Sequence, residues 1–255
     1  MSVAPVVSVV LPTYNRVPVI CRAIRSVLDQ TYRSFELVVV DDGSNDATLE
    51  RVASLDDHRI RCIRLDRNLG AAAARNAGID ASVGRFVAFQ DSDDEWLPEK
   101  LARQTQAFET CGAEVGVVYS DMERVHLDGT PTYHRSPSVL RGRLIDPATG
   151  FYQVCNLGIQ STVIRRECLG AVGDFNKEFR ALEDLELFVR LSERFAFHHL
   201  PVPLVRYHET AGISQDMRAK RVARKLLLRL YGEQLARHDM AFVEKESAAL
   251  EHGGG

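Results

Sequence analysis

Four carboxylate side chains lie within five residues, directly after the apolar run at 86–89; they are Asp91, Asp93, Asp94 and Glu95. Like charges this close repel one another, so the cluster requires protonation or a cation. Asp91 and Asp93 are two residues apart and would point the same way in an extended segment, where both could contact one hard cation. The alternative is an acidic, solvated turn that caps the next helix, since proline, here Pro98, often opens helices.

Polar residues also follow three other apolar runs in the first half of the chain. The segments are Thr-Tyr-Asn at 13–15, Asp-Asp-Gly-Ser at 41–44 and Asn-Leu-Gly at 68–70. In open parallel α/β sheets, ligands bind outside the carboxyl ends of the strands. With the acidic cluster, four polar segments at such ends predict an active site along one edge of the sheet.

The elements that must position these residues are short valine-rich strands alternating with helices. Strands are predicted at 6–11, 35–40, 60–65, 86–89 and 115–119, with helices between them at 20–28, from 46, at 71–81 and at 98–110. This alternation with short connections predicts an α/β fold, in which a mostly parallel sheet is covered by helices on both faces.

The second half of the chain has a mixed pattern. We predict a hairpin at 125–133, a loop at 136–150, a strand at 159–164 and a helix that opens at 183 and includes Phe195. Pro201 and Pro203 interrupt the extended segment 197–207, which favours an edge segment over a central strand. A helix is predicted from 217 to about 243, and residues 248–255 are typical of an expression-tag remnant.

The composition fits one large α/β domain, or one domain with an appendage, since 255 residues with 45% hydrophobic content can bury a sizeable core. The net charge of -3 argues against a general nucleic-acid-binding protein. The 5 cysteines include no CxxC pair, so neither a zinc site nor a disulfide framework is expected. The N-terminus has no basic region, and the run at 6–11 is too short for a signal peptide or membrane span, so a cytosolic protein is expected.

The glycine-rich loops that commonly hold nucleotide phosphates are absent from the sequence. Pro-Thr-Tyr-Asn-Arg stands where GxGxxG would be needed, and no GxxxxGK[ST] occurs. A nucleotide would therefore be held by side chains and a metal. Tyr14 could stack on a base, Asp42 could accept from a base N–H or a ribose hydroxyl, and Arg75 could reach the cleft. Alternatively, Asp42 is a turn and N-cap residue, and Arg75 is a surface residue or the partner of an aspartate.

Four segments together resemble the family 2 glycosyltransferases. They are VSVVLPTYNR at 7–16, ELVVVDDGSND at 36–46, Asn-Leu-Gly with Ala-Arg-Asn-Ala-Gly within 68–78, and FQDSDD at 89–94. They occur in the family's order and at its spacing, closely over 6–123 and more loosely to about 215. The resemblance implies a GT-A fold with a nucleotide-sugar-binding half at 1–123, an acceptor-side catalytic half of the same domain at 124–216, and a C-terminal amphipathic helix at 217–247.

The resemblance also implies roles for individual residues. The donor would be a nucleoside-diphosphate sugar, with a UDP-sugar expected, and its binding residues would be Pro12, Thr13, Tyr14, Asn15, Asp41, Asp42, Gly70, Arg75, Asp91 and Ser92. Asp93 would bind Mn²⁺ or Mg²⁺ directly, Asp91 would contact the ribose or a metal-bound water, and His208 could reach the metal or the diphosphate. Oxygen ligands suit these ions, which act as Lewis acids on a departing diphosphate.

An inverting transfer needs a base on the face of the sugar opposite the leaving group. Asp184 resembles the family's base, with Glu183 in support, and a helix N-terminus favours the ionised carboxylate that a base requires. Without the resemblance, these acids would be ordinary first-turn residues of a helix. Trp96, Gln160 and Ser161 fall on the acceptor side by the same analogy, although Trp96 could equally pack beneath the acidic loop.

The resemblance therefore implies metal-dependent, inverting transfer of a sugar to an acceptor hydroxyl of a glycan or lipid-linked molecule, in cell-surface polysaccharide or glycolipid synthesis. One alternative is a metal-dependent nucleotidyltransferase, which would need a glycine-rich, basic loop after the first strand. The other is a non-catalytic nucleotide-sugar-binding subunit. Donor turnover with Mn²⁺, lost on chelation, would separate the enzyme from the binding subunit.

The helix from 217 carries basic residues beside its leucines: Arg218, Lys220, Arg221, Arg224, Lys225 and Arg229. A basic amphipathic helix can lie on an anionic membrane surface, which would suit a lipid-linked acceptor at the inner face of the membrane. The alternative is a helix packed on the domain with a solvated basic face.

Overall fold

The computed structural model describes residues 4–136, 157–209, 216–236, 243–244 and 247–248. Its strands are β1 (Val7–Thr13), β2 (Phe35–Asp41), β3 (Ile60–Arg64), β4 (Phe86–Phe89), β5 (Glu95–Trp96), β6 (Val115–Val125), β7 (Pro131–His134), β8 (Thr162–Arg165) and β9 (Ala196–His208). Its helices are α1 (Ile20–Leu28), α2 (Thr48–Ala53), α3 (Ala71–Ala81), α4 (Lys100–Thr110), α5 (Arg166–Val172), α6 (Glu183–Ser192) and α7 (Met217–Ala236). A 3-10 turn at Ile159–Ser161 leads into β8.

The strands form one mixed sheet in the order β3-β2-β1-β4-β8-β6-β9-β5, and β7 pairs with β6. β1 pairs in parallel with β2 and β4, and β2 pairs in parallel with β3, so the carboxyl ends of these strands lie on one edge. β8 is antiparallel to both β4 and β6, whereas β9 is parallel to β6. The predicted α/β sheet, with a parallel first half and a mixed second half, is confirmed.

Apolar side chains on both faces hold the helices to the sheet. In β1, Val9 packs in the cluster that contains α1 and α4, whereas its neighbour Val10 packs in the cluster that contains α3 and α6. The inward residues of α1 recur at helical spacing; they are Ile20, Ala23, Ile24, Val27 and Leu28. Burying one such isoleucine or leucine contributes roughly 2 kcal/mol, so this spacing fixes which face of the helix meets the sheet.

The predicted edge segment at 197–207 is a long strand, and among the described residues it is an edge of the sheet over most of its length. β9 is a strand of 13 residues that pairs with β6 along its length and with β5 at Val205 and Arg206. Its prolines are accommodated because the register with β6 shifts from Ser120 opposite Leu200 to Asp121 opposite Pro203. The two β9 residues between them, Pro201 and Val202, form a bulge, where a missing N–H costs no ladder hydrogen bond.

Three further predictions differ from the structure in detail. The predicted strand at 159–164 begins as the 3-10 turn, and α5, which follows β8, has no counterpart in the prediction. α6 ends at Ser192, so Phe195 packs against the core from beyond the helix. Most of the predicted loop at 136–150 and the end of the predicted helix beyond 236 lie outside the described residues. Among those residues, no helix combines the length and apolarity needed to cross a bilayer.

Candidate active site

A cleft of about 770 Å³ opens at the carboxyl ends of β1, β2 and β4. Its walls bring together many of the residues predicted for the site: Pro12, Thr13, Tyr14, Asp42, Gly70, Arg75, Asp91, Ser92, Asp93, Gln160, Glu183 and Asp184. They come from the ends of three parallel strands, from the N-terminal parts of α3 and α6, and, for Gln160, from the 3-10 turn. Cavities of this size enclose ligands as large as cofactors.

Asp42 holds the floor of the cleft in place. Its two carboxylate oxygens accept the backbone N–H groups of Leu69 and Gly70, each at 2.8 Å. Burial raises the pKa of Asp42, while these two hydrogen bonds act to lower it. Gly70 adopts a φ of +93°, a conformation that side chains rarely tolerate, so the turn before α3 can present its backbone to the cleft.

Two other predicted residues, Asp41 and Asn15, stabilise the loops next to Asp42. Asp41 is fully buried and accepts the backbone N–H of Ser44, at 3.1 Å to Oδ2, so it stabilises the turn and lies outside the cleft-lining set. Asn15 accepts the N–H of Asn45 at 3.0 Å and donates its own N–H to Ser44 Oγ at 2.9 Å. Asn15 therefore connects the loops after β1 and β2, whereas Asp41 stabilises the second loop alone.

The loop after β1 presents an aromatic ring and a buried hydroxyl to the cleft. Tyr14 is exposed on the wall, where its ring is available for stacking. Thr13 is buried, and its Oγ1 has no hydrogen-bond partner among the described residues. An orphaned polar atom on a cleft wall marks a position where a polar ligand atom would be favourable.

Arg75 connects the two sides of the cleft. One nitrogen, NH2, lies 2.8 Å from Asp91 Oδ1, and the other, NH1, lies 2.6 Å from Glu183 Oε1. Its guanidinium also lies over the ring of Phe175, 5.4 Å from the centroid. Burial lowers the pKa of Arg75, but Asp91 and Glu183 outweigh burial and the net shift is upward. The guanidinium is therefore a fixed cation, which confirms that Arg75 is the partner of an aspartate rather than a surface residue.

The acidic loop after β4 divides into residues that face the cleft and residues that support it. Asp91 and Asp93 line the cleft, and burial raises the pKa of Asp91, with Arg75 opposing the rise. Asp94 is buried beneath them. Burial and the nearby charges of Asp91 and Asp93 raise the pKa of Asp94, although it accepts two hydrogen bonds.

The cleft carboxylates fit a divalent metal held jointly with a ligand. Within the described part of the chain, no three His, Cys, Asp or Glu side chains are grouped as a site made of protein atoms alone. Mg²⁺, however, is commonly bound by one or two carboxylates together with substrate phosphates. Asp93 meets this requirement, because its carboxylate lies on the cleft. Arg16 NH2 lies 3.6 Å from its Oδ2.

The first turn of α6 places two acids opposite the acidic loop. Leu182, just before the helix, adopts a left-handed conformation with φ of +59°, which costs about 1 kcal/mol or more for a residue with a side chain. Burial and the neighbouring charge of Glu183 raise the pKa of Asp184 to about 7, with Arg75 and the N–H of Leu185 opposing the rise. A carboxylate with that pKa is suited to general-base chemistry at neutral pH.

Besides Asp41 and Asn15, three more predicted residues do not line the cleft. Trp96 is buried, and its Nε1–H donates to the carbonyl of Gln160 at 3.1 Å, so it packs beneath the acidic loop. Ser161 is also buried and hydrogen-bonds within its own turn. His208 Nε2 lies 3.0 Å from Glu95 Oε1, and burial, with the charge of Arg22 next, lowers the pKa of His208.

The structure adds cleft residues that the sequence analysis did not assign to the site. They are Arg16, Met122, Arg124, His134, Tyr207 and Lys220, among others. Arg124 and Tyr207 are opposite one another in the β6–β9 pairing, and Met122 is opposite His134 in the β6–β7 pairing. Residues 122 and 124 share one face of β6, because side chains alternate along a strand. This alternation was the sequence signal that could have placed both residues in the cleft.

Comparisons with known proteins identify the family to which the chain is similar. The family model described as "Glycosyl transferase family 2" matches residues 8–167, more than half of the chain. The succinoglycan biosynthesis protein ExoO of Rhizobium meliloti is 46% identical over 125 residues, which cover 49% of this chain and 35% of ExoO. WfaP of Escherichia coli, a UDP-Glc:alpha-D-GlcNAc-diphosphoundecaprenol beta-1,3-glucosyltransferase, is 30% identical over 164 residues, which cover 63% of this chain and 61% of WfaP.

A solved glycosyltransferase structure has the same α/β fold as this chain. The mannosyltransferase PcManGT of Pyrobaculum calidifontis, in complex with GDP-Man and Mn²⁺, superposes with a TM-score of 0.65 at 20% identity, covering 98% of this chain and 71% of PcManGT. The alignments with ExoO and WfaP each span less than two thirds of the relative's length. The match to the family model, together with the four ordered sequence segments and the cleft that they form, shows that the chain belongs to glycosyl transferase family 2.

Proposed function

We propose that this protein is a metal-dependent, inverting glycosyltransferase that moves a sugar from a UDP-sugar to an acceptor hydroxyl. The observation that carries the proposal is the double ion pair of Arg75 with Asp91 and Glu183. Asp91 is close in sequence to Asp93, the proposed metal ligand, and Glu183 precedes Asp184, the proposed base. Inverting transfer needs the leaving group and the base on opposite faces of one sugar. Arg75 fixes the two walls that would carry those groups.

On the donor side, the nucleotide base stacks on Tyr14 and the ribose and base edges meet Asp42 and the orphaned Thr13 hydroxyl. Asp93, with Asp91, would hold Mn²⁺ or Mg²⁺, which would supply Lewis-acid stabilisation of the departing diphosphate. The Mn²⁺ bound by PcManGT supports this choice of ion. Arg16, next to Asp93, adds a second positive charge at the same end of the cleft.

On the acceptor side, Asp184 takes the proton of the attacking hydroxyl. Its elevated pKa makes it a stronger base than an exposed aspartate, and Glu183 keeps its negative charge close by. Glu183 itself is engaged by Arg75 and acts through position and charge. The acceptor that we propose is a lipid-linked glycan, because WfaP, by its name, uses a diphosphoundecaprenol-linked acceptor.

A lipid-linked acceptor would be reached from a membrane surface, and α7 offers a face for it. Ala223, Leu227 and Leu235 are buried against the domain. The exposed residues of α7 include three that are basic (Arg218, Lys225 and Arg229) and three that are apolar (Met217, Val222 and Leu230). This combination suits binding to an anionic bilayer. Lys220, on the same helix, lines the cleft, so the helix would hold the cleft close to the lipid.

Donor turnover tests the proposed reaction. The protein is incubated with Mn²⁺ and UDP-glucose, UDP-N-acetylglucosamine or GDP-mannose, with and without a sugar-diphospholipid acceptor, and released nucleoside diphosphate is measured. We expect release with a UDP-sugar and its loss on chelation. Asp184→Asn should abolish release and keep donor binding, whereas Asp80→Asn on the exposed face of α3 should change neither. Binding without any turnover by the unaltered protein would support the non-catalytic subunit instead.

Vesicle binding tests the membrane contact. A variant with Arg218, Lys225 and Arg229 changed to Gln should bind anionic vesicles about a hundredfold more weakly, because each basic residue near the surface contributes about 1 kcal/mol. The matched control changes three exposed arginines elsewhere, Arg25, Arg33 and Arg51, by the same charge. Equal losses in the two variants would show that only net charge matters and would refute a specific role for α7.

A further inference from the structure

The backbone of residues 160–162, which begins at the cleft-lining Gln160, is held by a set of buried donors. Three successive carbonyls, those of Gln160, Ser161 and Thr162, accept from Trp96 Nε1 at 3.1 Å, Gln104 Nε2 at 2.8 Å and Lys100 Nζ at 3.3 Å. All three donor residues are buried. Because moving any carbonyl would leave a buried donor unpaired, this backbone is fixed before a ligand arrives.

The side chain of Gln160 is fixed as well. Its Nε2 donates to Asp94 Oδ2 at 3.0 Å, and the other oxygen of that carboxylate, Oδ1, accepts the backbone N–H of His208 at 2.9 Å. Since both neighbours of the carboxylate are donors, Asp94 acts as the acceptor in both contacts and orients the amide of Gln160. The nitrogen end of the amide is therefore committed to Asp94.

The oxygen end of the amide lies over Gly158. A Cβ atom built on Gly158 would come within 2.3 Å of Gln160 Oε1. The φ of Gly158 is -79°, which any residue can adopt, so the need for glycine here arises from the space that the amide fills and not from the backbone. Both residues line the cleft, and Gln160 Oε1 has no hydrogen-bond partner among the described residues.

We infer that Gln160 is a specificity-determining residue, whose Oε1 accepts a hydrogen bond from a hydroxyl of the donor sugar. The inference rests on the proposed function and assigns one contact within it. Asp94, which orients the amide, directly follows Asp93, the residue that faces the diphosphate. The sugar is bonded directly to that diphosphate, so it is the part of the ligand nearest to Gln160. Asp94 and Gly158 are positioning residues for this contact.

Binding measurements on the full chain test the contact. Affinities for UDP, UDP-glucose, UDP-N-acetylglucosamine and singly deoxygenated UDP-glucose analogues are measured by calorimetry with Mn²⁺. Gln160→Met, which keeps the length of the side chain, should bind UDP as the unaltered protein does and at least one UDP-sugar about tenfold more weakly, the loss of one hydrogen bond. One deoxy analogue should bind the unaltered protein and Gln160→Met equally well. That analogue lacks the hydroxyl that donates to Gln160, so removing the amide as well has no further effect.

Gly158→Ala provides a second variant that leaves Gln160 in the chain. Its methyl group should displace the amide and cause the same loss of sugar affinity, and in a Gln160→Ala background it should add nothing further. Gly170→Ala is the matched control, since no atom lies within 4 Å of the position that its Cβ would take. Thermal unfolding of each variant separates a lost contact from a lost fold, because a fold defect would weaken UDP binding too.

The outcomes separate this inference from the proposed function. If the unaltered protein binds no nucleotide sugar, both are overturned. Suppose instead that the unaltered protein binds nucleotide sugars, and that the ratio of UDP-sugar affinity to UDP affinity in Gln160→Met is within about twofold of its own ratio. The contact with the donor sugar is then overturned and the proposed function stands. Loss of UDP binding by Gln160→Met, with an unchanged fold, would equally overturn the contact, since the amide would then serve the nucleotide.

Discussion

Replacing Arg75 should destabilise the protein far more than replacing an arginine in an exposed ion pair of the same length. In Arg75→Met, the carboxylates of Asp91 and Glu183 lose the cation that now lies 2.8 and 2.6 Å away. The side chain of Arg75 is 6% exposed, and those of Asp91 and Glu183 are 27% and 14% exposed. Removing one partner of a buried ion pair costs about 3–5 kcal/mol, and the partial exposure of Asp91 places the expected loss near the lower figure, about 3 kcal/mol.

The pH dependence of this loss identifies its cause. Arg75 acts to lower the pKa of Asp91, so its removal raises the pKa of Asp91 further above that of the unfolded chain. The folded state then binds more protons than the unfolded state, and stability falls as the pH rises. We therefore expect the loss in Arg75→Met to be larger at about pH 8 than at about pH 5.

Urea unfolding at the two pH values measures both effects. The control is Arg103→Met, because Arg103 lies 2.7 Å from Glu99 but the two side chains are 48% and 59% exposed. That variant should lose no more than about 0.5 kcal/mol at either pH. Changing Asp91 to Asn and Glu183 to Gln in the Arg75→Met background should restore part of the stability. Similar losses for the two arginines, or a loss in Arg75→Met that does not change with pH, would refute the argument.

Three further predictions concern activity and the floor of the cleft. The value of kcat/KM should fall as the pH drops below about 7, since Asp184 then takes up the proton that it must be free to accept, and a pH profile with no such limb would contradict its role as base. Asp93→Ala should lose Mn²⁺-dependent turnover while its urea midpoint stays near that of the unaltered protein; retained Mn²⁺-dependent turnover would show that the metal is held elsewhere. Gly43→Ala should cost about 2 kcal/mol or more in unfolding free energy, because φ is +77° and the new Cβ would lie 2.7 Å from a backbone carbon of residue 67. Gly129→Ala, with φ of +84° and open space around the Cβ, should cost only about 1 kcal/mol, and equal losses would mean that the contact with residue 67 is unimportant.

The parallel half of the fold could be predicted from the sequence because its signals are local. The runs that became β1, β2 and β4 are largely apolar, as expected for strands covered on both faces, while α1 follows a clear helical period and α3 is rich in alanine. The prolines of β9 predicted an edge segment, and among the described residues only β6 pairs with this strand except at Val205 and Arg206, where β5 joins it. The bulge at Pro201 could not be predicted, because the sequence does not show which β6 residues lie opposite. α5 has only 7 residues and too few turns to establish a period.

The sequence predicted the cleft residues whose positions depend on nearby strand ends. It did not predict contacts between residues that are far apart in the sequence. Tyr14 and Asp42 directly follow strands and Asp93 lies in the loop after β4, so the rule for parallel sheets located all three. The pairing of Arg75 with Glu183 crosses 108 positions of the sequence, and no local pattern relates those two residues. The burial of Trp96 likewise depends on the carbonyl of Gln160, which is 64 positions away.

The hydrogen bond between Asp94 and the backbone of His208 also has a consequence for the order in which the chain folds. It spans 114 positions, and it can form only after β9 has entered the sheet between β6 and β5. Closing a loop of that length costs about 3 kcal/mol more than closing one helical turn, so the pairing belongs among the late, slow steps of folding. During synthesis, a ribosome-bound chain that ends before β9 would lack the hydrogen bond that His208 donates to Asp94 in the acidic loop. We therefore expect the chain to bind sugar nucleotides only after β9 has emerged from the ribosome.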